Sequence, residues 1–114
     1  MIEADIALTS IPQANGLINN RPVVLLRQMP GFGDFLVCGI STQLHQEIKG
    51  FDDKIYLADT DFSDSGLKAP SIIRLSFLAV LPLRNILGTI GFISAERHHL
   101  LLSRLCKHLE IKTL

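Results

Sequence analysis

The sequence predicts a mostly β domain closed by one C-terminal helix, an α+β layout. Three observations carry this. Short β-branched runs recur between clusters of turn-forming residues, Pro22 to Arg27 is continuously apolar before its final arginine, and only Ser94 to Leu109 has a sustained helical period. At 114 residues the chain is read as one domain spanning 1–114.

The elements follow in order. Asp5 to Ser10 reads as a short strand, and Ile11 to Asn20 as a turn region, since Pro12, Asn15, Gly16, Asn19 and Asn20 crowd into it. Pro22 to Arg27 suits a strand covered on both faces. Pro30 to Asp34 reads as a hairpin turn and Phe35 to Ile40 as its return strand, making an antiparallel meander. Gly50 to Asp53 turns the chain, Lys54 to Leu57 is a brief strand, and Asp59 to Gly66 is a loop or a single helical turn. Ser71 to Leu81 is the longest strand, ended by Pro82, which cannot donate to a ladder. Gly88 to Ile93 is a last short strand or the lead-in to the helix. Ser94 suits the helix N-cap and Glu96 its positive end, whereas Arg97 stands where a capping box would place an acidic partner. Ala95, Leu101, Leu102, Leu105, Cys106 and Leu109 form its apolar face.

Composition narrows the function. Eleven Lys plus Arg balance eleven Asp plus Glu, which argues against a duplex-DNA binder and leaves room for a local basic cleft. With 47% hydrophobic residues and a mean hydropathy of +0.33, some apolar surface should be covered by another copy, so an oligomer is expected. Cys38 and Cys106 are read as buried free thiols of a reducing compartment. The first residues have no secretory pattern and no run is long enough for a membrane span, so the expected location is the cytoplasm. His98, His99 and His108 lack a facing cluster of ligands, so no metal or other cofactor is expected. Gly31-Phe32-Gly33 lacks the Gly-Lys-Ser/Thr of a phosphate loop.

Three stretches resemble the MazF/PemK family of toxin endoribonucleases. Asn19-Asn20-Arg21-Pro22-Val23-Val24-Leu25 is similar to the family's arginine–proline step into its second strand. Leu36 to Gln43 resembles the strand ending in a hydroxyl-rich pair, here Ser41-Thr42. Gly66 to Arg74 resembles the loop and strand that deliver a further arginine. The resemblance implies an SH3-like small β-barrel of the MazF/PemK/CcdB type that forms a homodimer. It implies a type II toxin cutting single-stranded RNA without metal, by 2′-hydroxyl attack, and restrained by a cognate antitoxin. Two departures are visible: Glu3-Ala4-Asp5-Ile6 replaces the usual Gly-Asp start, and Ser76 lies where some members carry an aspartate.

Chemistry supports placing the catalytic role on Arg21, Ser41 and Arg74. Internal attack builds negative charge on phosphate oxygens, which a permanently charged guanidinium fork matches. Pro22 holds the backbone of Arg21 extended. Ser41 is suited to donating to a phosphate oxygen, or to satisfying a strand-end backbone group. Asn19, Asn20, Thr42, Gln43, His45 and Ser76 are expected RNA contacts, with Ser76 on the face of Arg74 by the period-two rule. His45 alone among them has the pKa range of a proton acceptor. A barrel that keeps the dimer without cutting, and a gyrase-targeting toxin of the same fold, are the competing readings.

Overall fold

The computed structural model describes residues 1–12 and 18–112. Six strands, β1 (Asp5–Pro12), β2 (Ile18–Gln28), β3 (Phe35–Ser41), β4 (Asp53–Ile55), β5 (Ser71–Leu81) and β6 (Ile86–Phe92), form one sheet in the order β4-β5-β3-β2-β1-β6. The described neighbours pair antiparallel. A one-turn helix α1 (Phe62–Ser65) follows β4, and α2 (Ala95–Leu109) closes the chain. The meander of β1, β2 and β3 is as the sequence predicts. The last strand then returns to pair with the first, Asp5 opposite Phe92, which curls the sheet.

Burial explains why β2 lacks polar alternation. Val24 and Leu26 enter one core with Ile6, Cys38, Ile73, Leu75, Ile93, Leu101 and Leu105. Val23 and Leu25 enter another, on the opposite face, with Ala7, Phe35, Val37 and Ile86. A strand covered on both sides needs an unbroken apolar run, because neither pleat meets water.

The expected boundaries shift in specific places. Ile11, Pro12, Ile18, Asn19 and Asn20 are strand residues, so the expected turn region narrows; Asn15 and Gly16 lie outside the described residues. The turn formers at Asn19 and Asn20 are overridden by pairing with Ile11 and Ser10. The brief strand is Asp53–Ile55 and the last strand begins at Ile86. Ser94 caps α2, its Oγ accepting the N–H of Arg97 at 3.1 Å. Only Leu101 and Leu105 of the expected helix face are buried; Cys106 is exposed and Leu109 is 69% exposed. Cys106 is on the solvent side of α2, which corrects its expected burial. Cys38 is buried as expected, and burial pushes its thiol far above the usual cysteine range.

Two glycines let α1 pack closely against β6. A Cβ on Gly91 in β6 would stand 2.2 Å from the carbonyl oxygen of Asp64 in α1. One on Gly66, whose φ of +72° ends α1 in the left-handed region, would stand 2.1 Å from the carbonyl oxygen of Ile90. Backbone meets backbone here only because both side chains are absent.

Arg97, which breaks the capping-box pattern, ties α2 to the loops beside it. Its Nε and Nη2 donate to Asp61 at 2.8 and 3.0 Å, Nη1 to Asp53 at 2.7 Å, and Nη2 to Asp59 at 3.1 Å. The bonds from Arg97 hold the carboxyl of Asp61 down to about 2.

Candidate active site

Register sets the site. Val23 of β2 is opposite Gly39 of β3, and Gly39 is opposite Arg74 of β5. Residues two apart share a face, so Arg21, Ser41 and Arg74 occupy one face near one end of three neighbouring strands. A cleft of about 450 Å³ opens there, lined by Arg21, Ser41, Arg74, Gln43, Gln46 and Phe77, with Gly39 among its floor residues. A second cleft of about 230 Å³ adjoins it and shares Arg21, Pro22, Ile40, Ser41 and Gln43. Thr42, Leu67, Lys68, Ala69 and Ser71 line its far side. Arg21 and Ser41 thus stand at the junction of one groove with two arms.

The groove is cationic although the chain is neutral. Arg21, Lys68 and Arg74 line it, and no Asp or Glu appears among its described lining residues. Carboxylates gather instead around Arg97 at the start of α2. Opposite charges are segregated to different places, which a whole-chain count cannot reveal.

Individual side chains are held as follows. Ser41 Oγ accepts the N–H of Gln43 at 3.1 Å, which satisfies that strand-end donor and leaves its own proton to donate elsewhere. Arg74 Nη1 approaches Gln46 Oε1 at 3.5 Å, and Arg74 Nε is buried without a protein partner among the described residues. An unpaired buried donor is costly, so an oxygen ligand reaching it would gain more than in water.

Directly after Arg74 the ladder breaks. Gly39 pairs with Arg74 but the adjacent Cys38 pairs with Leu78, so Leu75, Ser76 and Phe77 bulge out of β5. The buried Asp52 answers the bulge: its carboxylate accepts the Ser76 N–H at 3.0 Å and the Ser76 hydroxyl at 3.2 Å. It also accepts the N–H of Ile48 at 3.0 Å, just beyond the 3-10 turn Leu44–Gln46. Asp52 therefore clamps the turn carrying Gln46 to the strand carrying Arg74.

No protein-family model and no curated protein matches the sequence. Among solved structures, the chain is similar to one described as the Mycobacterium tuberculosis toxin MazF-mt6. The TM-score is 0.64 at 18% identity, with 96% of this chain and 99% of that one covered. The chain has a MazF-like fold. The barrel implied by the sequence resemblance is therefore the one observed, with a six-stranded antiparallel sheet and a C-terminal helix.

On this MazF-like frame the expected site residues divide. Arg21, Ser41, Arg74 and Gln43 meet in the larger cleft, and Thr42 lines its neighbour. Asn20 is exposed on β2 and lines neither cleft. The side chain of Asn19 lies outside the described residues. His45 is exposed and lines neither cleft; in a 3-10 turn successive side chains diverge, and Gln46 takes the inward place. Ser76 is the clearest correction, because the bulge ends its period-two relation to Arg74 and turns it to Asp52. Gln46, Lys68 and Phe77 also line the groove, beyond the residues the sequence singles out. Lys68 sits inside the Gly66 to Arg74 stretch and was legible there; the other two depend on the turn and the bulge.

Proposed function

We propose that this chain is the toxin of a type II toxin–antitoxin pair, a homodimeric, metal-independent endoribonuclease acting on single-stranded RNA in the cytoplasm. The observation that carries the reading is the convergence of Arg21, Ser41 and Arg74, from three strands, on one cleft with no carboxylate among its described lining residues. The MazF-like fold supports it. No helix among the described residues is long and apolar enough to cross a membrane.

In this reading the scissile phosphate sits at the junction of the two arms. The ribose 2′-oxygen attacks phosphorus, the bond to the 5′-oxygen breaks, and a cyclic phosphate and a 5′-hydroxyl result. Arg21 and Arg74 neutralise the charge growing on the nonbridging oxygens, and the Ser41 hydroxyl donates to one of them. Arginine stays protonated and is not the base. The described lining residues include no histidine or carboxylate; in this reading water takes the 2′-proton and water returns one to the departing 5′-oxygen. Catalysis is then positioning and electrostatic stabilisation, which need no group titrating near neutrality.

The test is to incubate the purified chain with a long single-stranded RNA in EDTA and map the ends. The reading expects site-specific fragments with 5′-hydroxyl ends, and a pH–rate profile that is the same in His45→Ala as in wild type. Intact RNA beside folded protein would favour the non-cutting barrel. Inhibition of gyrase instead would favour the protein-targeting branch of the fold.

A further inference from the structure

The arm of the groove beyond Arg74 has features that phosphate binding does not use. Phe77 is 50% exposed, yet its ring lies over Gly39, where a Cβ would meet Phe77 Cδ1 at 3.1 Å. An aromatic ring half in water, on the wall of a cleft of about 450 Å³, leaves one surface uncovered beside the cationic centre. The bulge at Leu75 to Phe77 brings it there, and Asp52 holds the bulge. On the same cleft Gln46 turns its Oε1 toward Arg74 Nη1. A guanidinium has donors only, so the opposite amide orientation would set donor against donor. The Gln46 amide is therefore left with its N–H groups to offer.

We propose that Phe77 and Gln46 form a specificity pocket for the base next to the scissile phosphate, stacking it on Phe77 and selecting a keto oxygen through the Gln46 amide. Uracil and guanine present such an acceptor, whereas cytosine and adenine present an exocyclic amine at the corresponding edge. Stacking tolerates any base, so affinity comes from the ring and choice from the amide. The cleft volume falls within the range of small-ligand sites, about 300–1,000 Å³. Lys68 in the other arm supplies charge for a flanking phosphate, so the two arms are unequal: one reads a base and the other holds backbone. This assignment rests on the RNA reading of the groove.

Binding of short 2′-O-methyl RNAs, which cannot be cut by 2′-attack, tests the pocket apart from catalysis. The probes are tetranucleotides differing only in the base beside the central phosphate, titrated by fluorescence anisotropy. Wild type should prefer uracil or guanine there. Phe77→Ala should weaken all probes roughly ten- to hundredfold while Phe77→Trp restores binding. Gln46→Glu, which removes the N–H donors, should abolish or invert the base preference. Wild-type affinity in Phe77→Ala, or an unchanged preference in Gln46→Glu, would overturn the pocket while leaving the nuclease reading intact. Tight, base-selective binding by a wild type that cuts no RNA would uphold the pocket and overturn the nuclease. Absence of all RNA binding by wild type would overturn both. Phe77→Ala is also sized by sedimentation: a loss of binding that tracks dissociation into monomers would assign the ring to contact between copies and reject the pocket.

Discussion

At the scale of single residues, two carboxylates have separable consequences. Asp61 is the stability group. Its carboxyl is held at about 2 by the bonds from Arg97, below the ordinary 3.8. The unfolded chain therefore takes up the proton first as pH falls, so the stabilisation is complete above about pH 4 and gone below about pH 2. The difference corresponds to about 2 kcal/mol. Urea unfolding across that window should show this loss in wild type and a flatter profile in Asp61→Asn. Equal pH slopes in the two proteins would contradict the assignment. Asp52 is the site-shaping group, accepting from Ile48 and twice from Ser76. Asp52→Ala frees these donors and should cost about 2–3 kcal/mol of stability. It should also loosen the turn carrying Gln46 from the strand carrying Arg74. Cleavage by the still-folded variant should fall at least tenfold, more than that of a control variant equally destabilised elsewhere. The comparison is made at matched folded fraction, and equal losses would reduce Asp52 to a packing role.

At the scale of elements, α1 packs backbone to backbone against β6. Gly91→Ala drives a methyl carbon to 2.2 Å from a backbone oxygen, and no side-chain rotation relieves it. The expected cost is about 3 kcal/mol, at the upper end for overpacking because the obstacle is main chain. Thermal unfolding checks it, and a midpoint within one degree of wild type would contradict the close approach. Element by element, periodicity made most strands legible. The span Ser71–Leu81 has the bounds its apolar run and Pro82 predict, and Ser94 is the cap that its position before the helical period predicts. What periodicity could not show was the break within that strand. A bulge leaves composition unchanged, and the group that stabilises it, Asp52, lies 24 residues away. Alternation alone therefore puts Ser76 on the face of Arg74 and gives no sign of Phe77 in the cleft. The sequence marks Arg97 only as a missing cap partner, since its three carboxylate partners come from the start of β4 and the turn before α1.

At the scale of the molecule, a neutral chain carries a polarised surface. Cations line the groove across β2, β3 and β5, and acids are drawn to the base of α2. The residues that meet in the groove, Arg21, Ser41 and Arg74, are legible because each lies within a stretch with its own local pattern. Gln46 was not, since nothing in the neighbouring sequence distinguishes it from the exposed His45. Leu78 and Val80 on β5, with Leu87 and Phe92 on β6, are exposed apolar side chains in a chain of high mean hydropathy.

The central claim is that the Arg21 guanidinium stabilises charge developing on the scissile phosphate. Single-turnover cleavage of an oligodeoxynucleotide carrying one ribose at the mapped cut site measures this most directly. Arg21→Ala should slow the chemical step at least a thousandfold with binding of the uncuttable all-deoxy strand weakened tenfold or less, and Arg21→Lys should recover only part of the rate. An Arg21→Ala protein cutting at the wild-type rate, or one whose entire deficit is lost affinity, would contradict the account.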